Sequence, residues 1–215
     1  MKRCRCVDAE ISAARLKNSG LQEAFAAKTF STFRTEGRPP QVVAACSMAR
    51  KYVQDFGTLM RAETNWFALL GQVGCGKTHL TIAVANELLA MNVGVVYMPY
   101  RDEITRIKQI MTDEVQYNLT MNRLKQAQVL VVDDLFKESL VTRNGERILN
   151  EADLRIMFEL LNHRYFKKLP VIISSEYGMN RLLDMDEGLG SRIFEMSKGR
   201  FIEFKGPALN YRLTG

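Results

Sequence analysis

Little in this chain would hold it together covalently or place it in a membrane. Four cysteines, at positions 4, 6, 46 and 75, are scattered through 215 residues. That density excludes a disulfide scaffold, and a chain this long buries roughly 70% of its unfolded surface without covalent help. Five prolines and 14 glycines exclude collagen-like and low-complexity classes. No uncharged apolar run reaches the roughly 18 residues that a spanning helix needs, so no membrane segment is expected. The start, MKRCRCVDAE, is charged with no apolar stretch behind it, so it does not read as a signal peptide. A cytoplasmic protein with free thiols is expected. Histidine is scarce as well: His79 and His163 read more readily as helix packing or capping residues than as ligands. No internal repeat is visible.

What is present is ordinary for a globular protein: 47% apolar and 25% charged residues. A net charge of +6 is compatible with a nucleic-acid partner but points to none, because the basic residues are spread along the chain. Gly20, Gly37 and Pro39-Pro40 break up the first 40 residues. Residues 1–38 therefore read as an N-terminal linker segment and 39–215 as one domain. Val42, Val43, Cys46, Ala49, Val53 and Phe56 recur at helical spacing, predicting an amphipathic helix over about 41–60. Strands are expected at Trp66–Leu70, Val93–Met98, Val129–Val132, Val171–Ser174 and Arg200–Phe204. Helices are expected at 77–91, 102–111, 114–126, 150–167 and 188–197. Apolar strands alternating with helices predict an α/β three-layer sandwich around a mostly parallel five-stranded sheet.

The strongest motif runs from Gly71 through Gln72, Val73, Gly74, Cys75 and Gly76 to Lys77 and Thr78. It matches G-x-x-x-x-G-K-[ST], the phosphate-binding P-loop. Glycines let backbone N–H groups turn inward around phosphates. The following helix aims its positive dipole end at the same anion. Lys77 then reaches the outer phosphates and the Thr78 hydroxyl ligates Mg²⁺, so ATP and Mg²⁺ are the expected ligands. An apolar strand before the loop and a helix after it supply the right context. The second motif is Val129-Leu-Val-Val-Asp133-Asp134, an apolar strand ending in two carboxylates. Beside a P-loop, the first carboxylate holds the Mg²⁺ shell and the second orients the attacking water. A strand–helix unit, 93–126, separates the two motifs in sequence. It reads as the extra strand of additional-strand ATPases, which couple ATP hydrolysis to movement.

These residues resemble a known family. Lys28-Thr-Phe-Ser-Thr-Phe33, Gly76-Lys-Thr-His79-Leu80, the Asp133-Asp134 strand, Asn162-His-Arg-Tyr165, Leu169-Pro-Val-Ile-Ile-Ser-Ser-Glu176 and Gly190-Ser-Arg-Ile193 are together similar to helicase loaders of the DnaC/DnaI/IstB type, a branch of the AAA+ ATPases. The likeness covers about 28–215 and is greatest to phage and prophage loaders. It implies an ATPase that delivers a DnaB-type replicative helicase onto single-stranded DNA and self-associates into a hexamer or open spiral. The alternatives are a transposition ATPase acting on duplex DNA and a nucleotide-gated adaptor with little turnover. The resemblance makes Asp133 the Mg²⁺ ligand, Asp134 the catalytic carboxylate and Arg192 an arginine finger reaching a neighbouring subunit. The family's usual sensor asparagine is absent, and Glu176, with Ser175 beside it, stands in its place. The family's small helical lid is little developed here, and Arg212 reads as a surface residue rather than a second sensor. Cys4 and Cys6 resemble the remnant of an N-terminal zinc-binding domain. The groups after the second strand, Tyr100, Arg101, Arg106 and Lys108, are the DNA-contact candidates, with Tyr100 stacking on a base and Arg101 pairing with phosphate.

Overall fold

The computed structural model describes residues 27–143, 145–206 and 209–211. Cys4, Cys6 and Arg212 lie outside the described residues. Helix α1 (Pro40–Gln54) starts on the Pro39-Pro40 pair, whose fixed φ suits a first helical turn, and is followed by the single turn α2 (Phe56–Leu59). Then come β1 (Phe67–Gly71), α3 (Lys77–Ala90), β2 (Val95–Pro99), α4 (Tyr100–Gln109), α5 (Glu114–Gln126) and β3 (Val129–Asp133). A hairpin of β4 (Leu140–Arg143) and β5 (Glu146–Leu149) precedes α6 (Glu151–Phe166), β6 (Val171–Ser175), α7 (Met179–Met185), α8 (Glu187–Met196) and β7 (Phe201–Phe204).

The five main strands form one sheet in the order β2-β3-β6-β1-β7, every pair parallel. Strands β1, β3 and β6 are buried along their whole length, which is why they read as unbroken apolar runs. The side-chain period of two splits the interior into two layers. Phe67, Leu69, Val129, Val131 and Ile172 face α1 and α3. Ala68, Leu70, Leu130, Val132 and Ile173 face α4 to α8.

The strand lying between β1 and β3 in space is β6, and β2, adjacent to β1 in sequence, takes the sheet edge. The hairpin was not anticipated, because residues 140–149 form no apolar run. Its signal was the Asn144-Gly145 dipeptide, a favoured two-residue hairpin turn, and Gly145 has φ +82°. Residues 27–38 do not behave as a linker. Phe30 and Phe33 are buried in the same cluster as α1 and α3. Asn86 Nδ2 and Arg50 donate to the carbonyls of Lys28 and Phe30, tying the segment down.

Candidate functional site

Parallel strands with helical crossovers gather their C-terminal ends, and the loops after them, on one edge of the sheet, where α/β proteins bind ligands. Here that edge receives the loop after β1, the carboxylate pair after β3 and Ser174–Glu176 after β6. They surround a cavity of about 390 Å³ lined by Gly74, Gly76, Lys77, Thr78, Tyr97, Asp133, Asp134, Lys137 and Glu176, together with Lys28, Val73, His79 and Tyr211.

The P-loop is built on backbone shapes that only glycine takes cheaply. Gly76 caps α3 at φ +100°, and a Cβ there would sit 2.6 Å from the Phe33 ring. Gly71, at φ +93°, lies so close to β7 that a Cβ would meet the Phe204 carbonyl at 2.4 Å. Lys77 is 6% exposed, and its ammonium donates to the Gly71 and Gln72 carbonyls at 2.7 and 2.8 Å. Burial lowers its pKa, partly offset by Cys75, Asp134, Glu176 and Asp133. Cys75 is buried; its thiol donates to the Gln72 carbonyl, and burial pushes its pKa up. His79 faces the N-terminal segment: Nε2 lies 2.9 Å from the Thr29 carbonyl and 3.3 Å from Thr32 Oγ1, with its ring edge-on to Phe33. It packs the Lys28–Phe33 motif onto α3, so its place at the cavity rim is structural.

Asp133 is the centre of a buried network. Parity puts it on the same sheet face as Tyr97 and Ser174, the face that carries α3. Tyr97 donates to Oδ2 at 2.7 Å and Ser174 Oγ donates to Oδ1. Thr78, the second residue of α3, lines the same cavity as this carboxylate. Burial pushes the Asp133 carboxyl above its usual range, and hydrogen bonding, from Ser174 and Tyr97 foremost, pulls it back. A hydroxyl at the start of α3 and a strand-end carboxylate on one cavity form the donor set that holds Mg²⁺ together with phosphate oxygens, so the residues fit that ion.

Asp134 adopts φ +58°, its amide donating to Ser174 Oγ at 2.8 Å. Its carboxylate pairs with Lys137 at 2.7 Å, and that hydrogen bond raises the lysine pKa. Sequence reasoning missed both Ser174 and Lys137. The signal for Ser174 was strand parity; for Lys137 it was a cation three residues beyond the carboxylate pair.

Ser175, the expected partner of Glu176 in sensing phosphate, points to the other face. Its hydroxyl donates to the Leu135 carbonyl at 2.8 Å and accepts from the Tyr177 amide. Only Glu176 reaches the cavity. Arg192 does not line it. Its guanidinium donates to the Gly188 carbonyl and lies 5.2 and 5.4 Å from the Phe158 and Tyr165 ring centroids, half-buried against α6.

The expected DNA group does not survive intact. Tyr100 is 1% exposed, in contact with the Phe136 ring, and bonded to Ser139 and Asp153, so it cannot stack on a base. Its position at the first turn of α4 turns it inward beneath the segment after β3. Lys108 is paired with the buried Asp153 at 2.7 Å. Arg101 does face solvent, paired with Glu138.

Comparison with known proteins places this site in a family. The family described as IstB-like ATP-binding protein matches residues 42–189, the stretch that holds the P-loop, the carboxylate pair and Ser174. The chain belongs to the IstB-like ATP-binding family. It is 39% identical over 216 residues to the phage-like element PBSX protein XkdC of Bacillus subtilis (strain 168), an alignment covering 99% of this chain and 78% of that one. It is 24% identical over 204 residues to the replicative helicase loader DnaC of Escherichia coli (strain K12), covering 92% and 75%. Among solved structures, the DnaC helicase loader superposes with a TM-score of 0.68 at 20% identity, covering 86% of this chain and all of that one. The IstB-like sheet is thus the AAA+ P-loop fold. Among the described residues, no helix is long and apolar enough to cross a membrane.

Proposed function

We propose that the protein hydrolyses ATP with Mg²⁺ and uses that cycle to load a DnaB-type replicative helicase onto single-stranded DNA. The observation that carries the hydrolysis is the convergence of Lys77, Thr78, Asp133 and Asp134 on one cavity although they come from separate strands. Backbone amides and Lys77 bind the phosphates; Thr78 and Asp133 hold the metal, which neutralises phosphate charge when bound. Asp134, bent toward the cavity by its left-handed backbone, orients water. Arg192 lies outside its own cavity, so a finger role needs a second subunit, and the site is complete only in an assembly such as a hexamer or open spiral. The helicase assignment rests on the likeness to the helicase loader DnaC.

A second reading, a transposition ATPase on duplex DNA, is favoured by the family description itself. ATPase assays with single-stranded and duplex DNA, together with a pulldown of the host's replicative helicase, separate the two. Helicase capture and single-strand stimulation support loading. Duplex-only stimulation without helicase capture refutes it. Turnover that stays near zero with every partner leaves a nucleotide-gated adaptor, a reading that the Lys137–Asp134 ion pair favours.

A further inference from the structure

Two lysines outside the P-loop motif, Lys28 and Lys137, also line the nucleotide cavity, and Lys137 is the one paired with the carboxylate that follows β3. Lys137 Nζ lines it beside Asp133, Asp134 and Glu176. The backbone that brings it there is unusual. Asp134, Phe136 and Glu138 all have φ near +60°, and the Lys137 amide donates to the Asp134 carbonyl at 3.0 Å. Left-handed non-glycine residues cost roughly 1–3 kcal/mol each and persist where neighbours over-determine them. Here Ser174 does so, accepting from the Asp134 amide through Oγ and from the Leu135 amide through its carbonyl. The tight turn keeps Lys137 against the catalytic carboxylate, with its side chain 40% exposed and able to move.

Charge and position say what it is for. Lys77 is anchored at the start of the P-loop. For Asp134 to reach an attacking water, the terminal phosphate of a triphosphate has to lie at the Asp133–Asp134 end of the cavity, beyond the reach of a diphosphate. Ser175 is turned away from that end, and Glu176 brings a negative charge. Arg192 is not in the cavity. Lys137 is already there.

We propose, on the reading that this cavity hydrolyses ATP, that Lys137 is a catalytic residue that passes from Asp134 to the terminal phosphate when a triphosphate binds. The transfer frees the Asp134 carboxylate to orient water and places a positive charge on the phosphoryl oxygens as the transition state forms. The water oxygen bonds to the terminal phosphorus. The bond from that phosphorus to the bridging oxygen breaks, and its electron pair stays on the diphosphate. Asp134 takes the water proton and returns it to solvent as diphosphate and phosphate leave. Lys137 stays protonated throughout.

The test uses Lys137→Ala, Lys137→Arg and Lys137→Ala combined with Asp134→Asn. Affinities for ADP–Mg and ATP–Mg are measured by fluorescent-nucleotide titration, and chemistry by single-turnover hydrolysis at saturating ATP. Lys137→Ala should bind ADP like the unaltered protein, lose roughly ten- to hundredfold in ATP affinity, and hydrolyse about 10²-fold more slowly. Lys137→Arg should recover most of both. With Asp134→Asn, which removes the ion pair, Lys137→Ala should still erode the preference for ATP over ADP. Loss of that effect in the Asp134→Asn background would reduce Lys137 to a tether for the carboxylate and overturn the proposal. Normal ATP preference and rate in Lys137→Ala would do the same while leaving the nucleotide site intact. Failure of the unaltered protein to bind either nucleotide would remove the nucleotide site itself, and this proposal with it.

Discussion

Ser174→Ala tests the assembled site at its least predictable point. The hydroxyl makes two bonds: it donates to Asp133 Oδ1 and accepts the Asp134 amide. A hydrogen bond to a charged group contributes about 1.5–3 kcal/mol, and a neutral one about 0.5–1.5. The Asp133 carboxylate keeps Tyr97, so the loss should fall near the low end of the sum, about 2 kcal/mol. For a chain of this size that lowers Tm by roughly 4–8 °C. The effect on turnover should be larger. Asp134 sits in a strained left-handed conformation, and its amide loses the bond that fixes it. A carboxylate displaced by about 1 Å can cost on the order of 10²-fold in rate. ATP affinity should change little, because Lys77 and the loop amides are untouched. Ser175→Ala is the control. It is equally buried and also loses a donated and an accepted bond, to Leu135 and Tyr177, but on the face away from the cavity. The assays are thermal denaturation, nucleotide titration and steady-state ATPase rate. Equal turnover losses in the two variants, or none in Ser174→Ala, would refute the division of labour between the two faces of β6.

Four further outcomes are expected. Lys77→Ala should abolish binding of fluorescent ATP, since the phosphates lose the cation that the loop holds ready; normal affinity in that titration would sink the P-loop assignment. Asp134→Asn should bind ATP–Mg normally and lose hydrolysis, measured as phosphate release, because a neutral amide is a poor base for water. The ATPase rate per subunit should rise with protein concentration, and Arg192→Ala should lose that rise. Mixing Arg192→Ala with Lys77→Ala should restore part of it, since one variant keeps the P-loop and the other the finger; a rate independent of concentration counts against a shared site. Asp133 holds its proton to higher pH when folded than when unfolded, so its ionisation weakens the nucleotide-free fold as pH rises above the usual carboxylate value of about 4. Asp133→Asn should therefore raise Tm at neutral pH, by an amount that shrinks on acidification, while losing the stabilisation by ATP–Mg; a lower Tm at neutral pH would contradict this account.

The local parts of the site were legible because their chemistry is contiguous. Gly71–Thr78 needs no distant partner to specify a phosphate-binding turn, and Val129–Asp134 declares a buried strand with charge at its end. The parallel sheet followed from the same apolar runs. Sequence could not say which strand lies beside which, because strand order depends on how crossovers pack in three dimensions. Strand β6, more than 30 residues beyond β3, moved between β1 and β3 and carried Ser174 into the site. Parity then separated two adjacent serines into one that bonds the carboxylate pair and one that does not. Tyr100 had the residue type of a base-stacking group, but its exposure depends on the first turn of α4 facing Phe136 and Asp153, contacts that only the folded chain brings together. The left-handed turn that sets Lys137 against Asp134 was equally hidden, since nothing local in Asp-Leu-Phe-Lys demands positive φ. That turn is imposed by bonds to Ser174, 40 residues away, and so belongs to the tertiary structure alone.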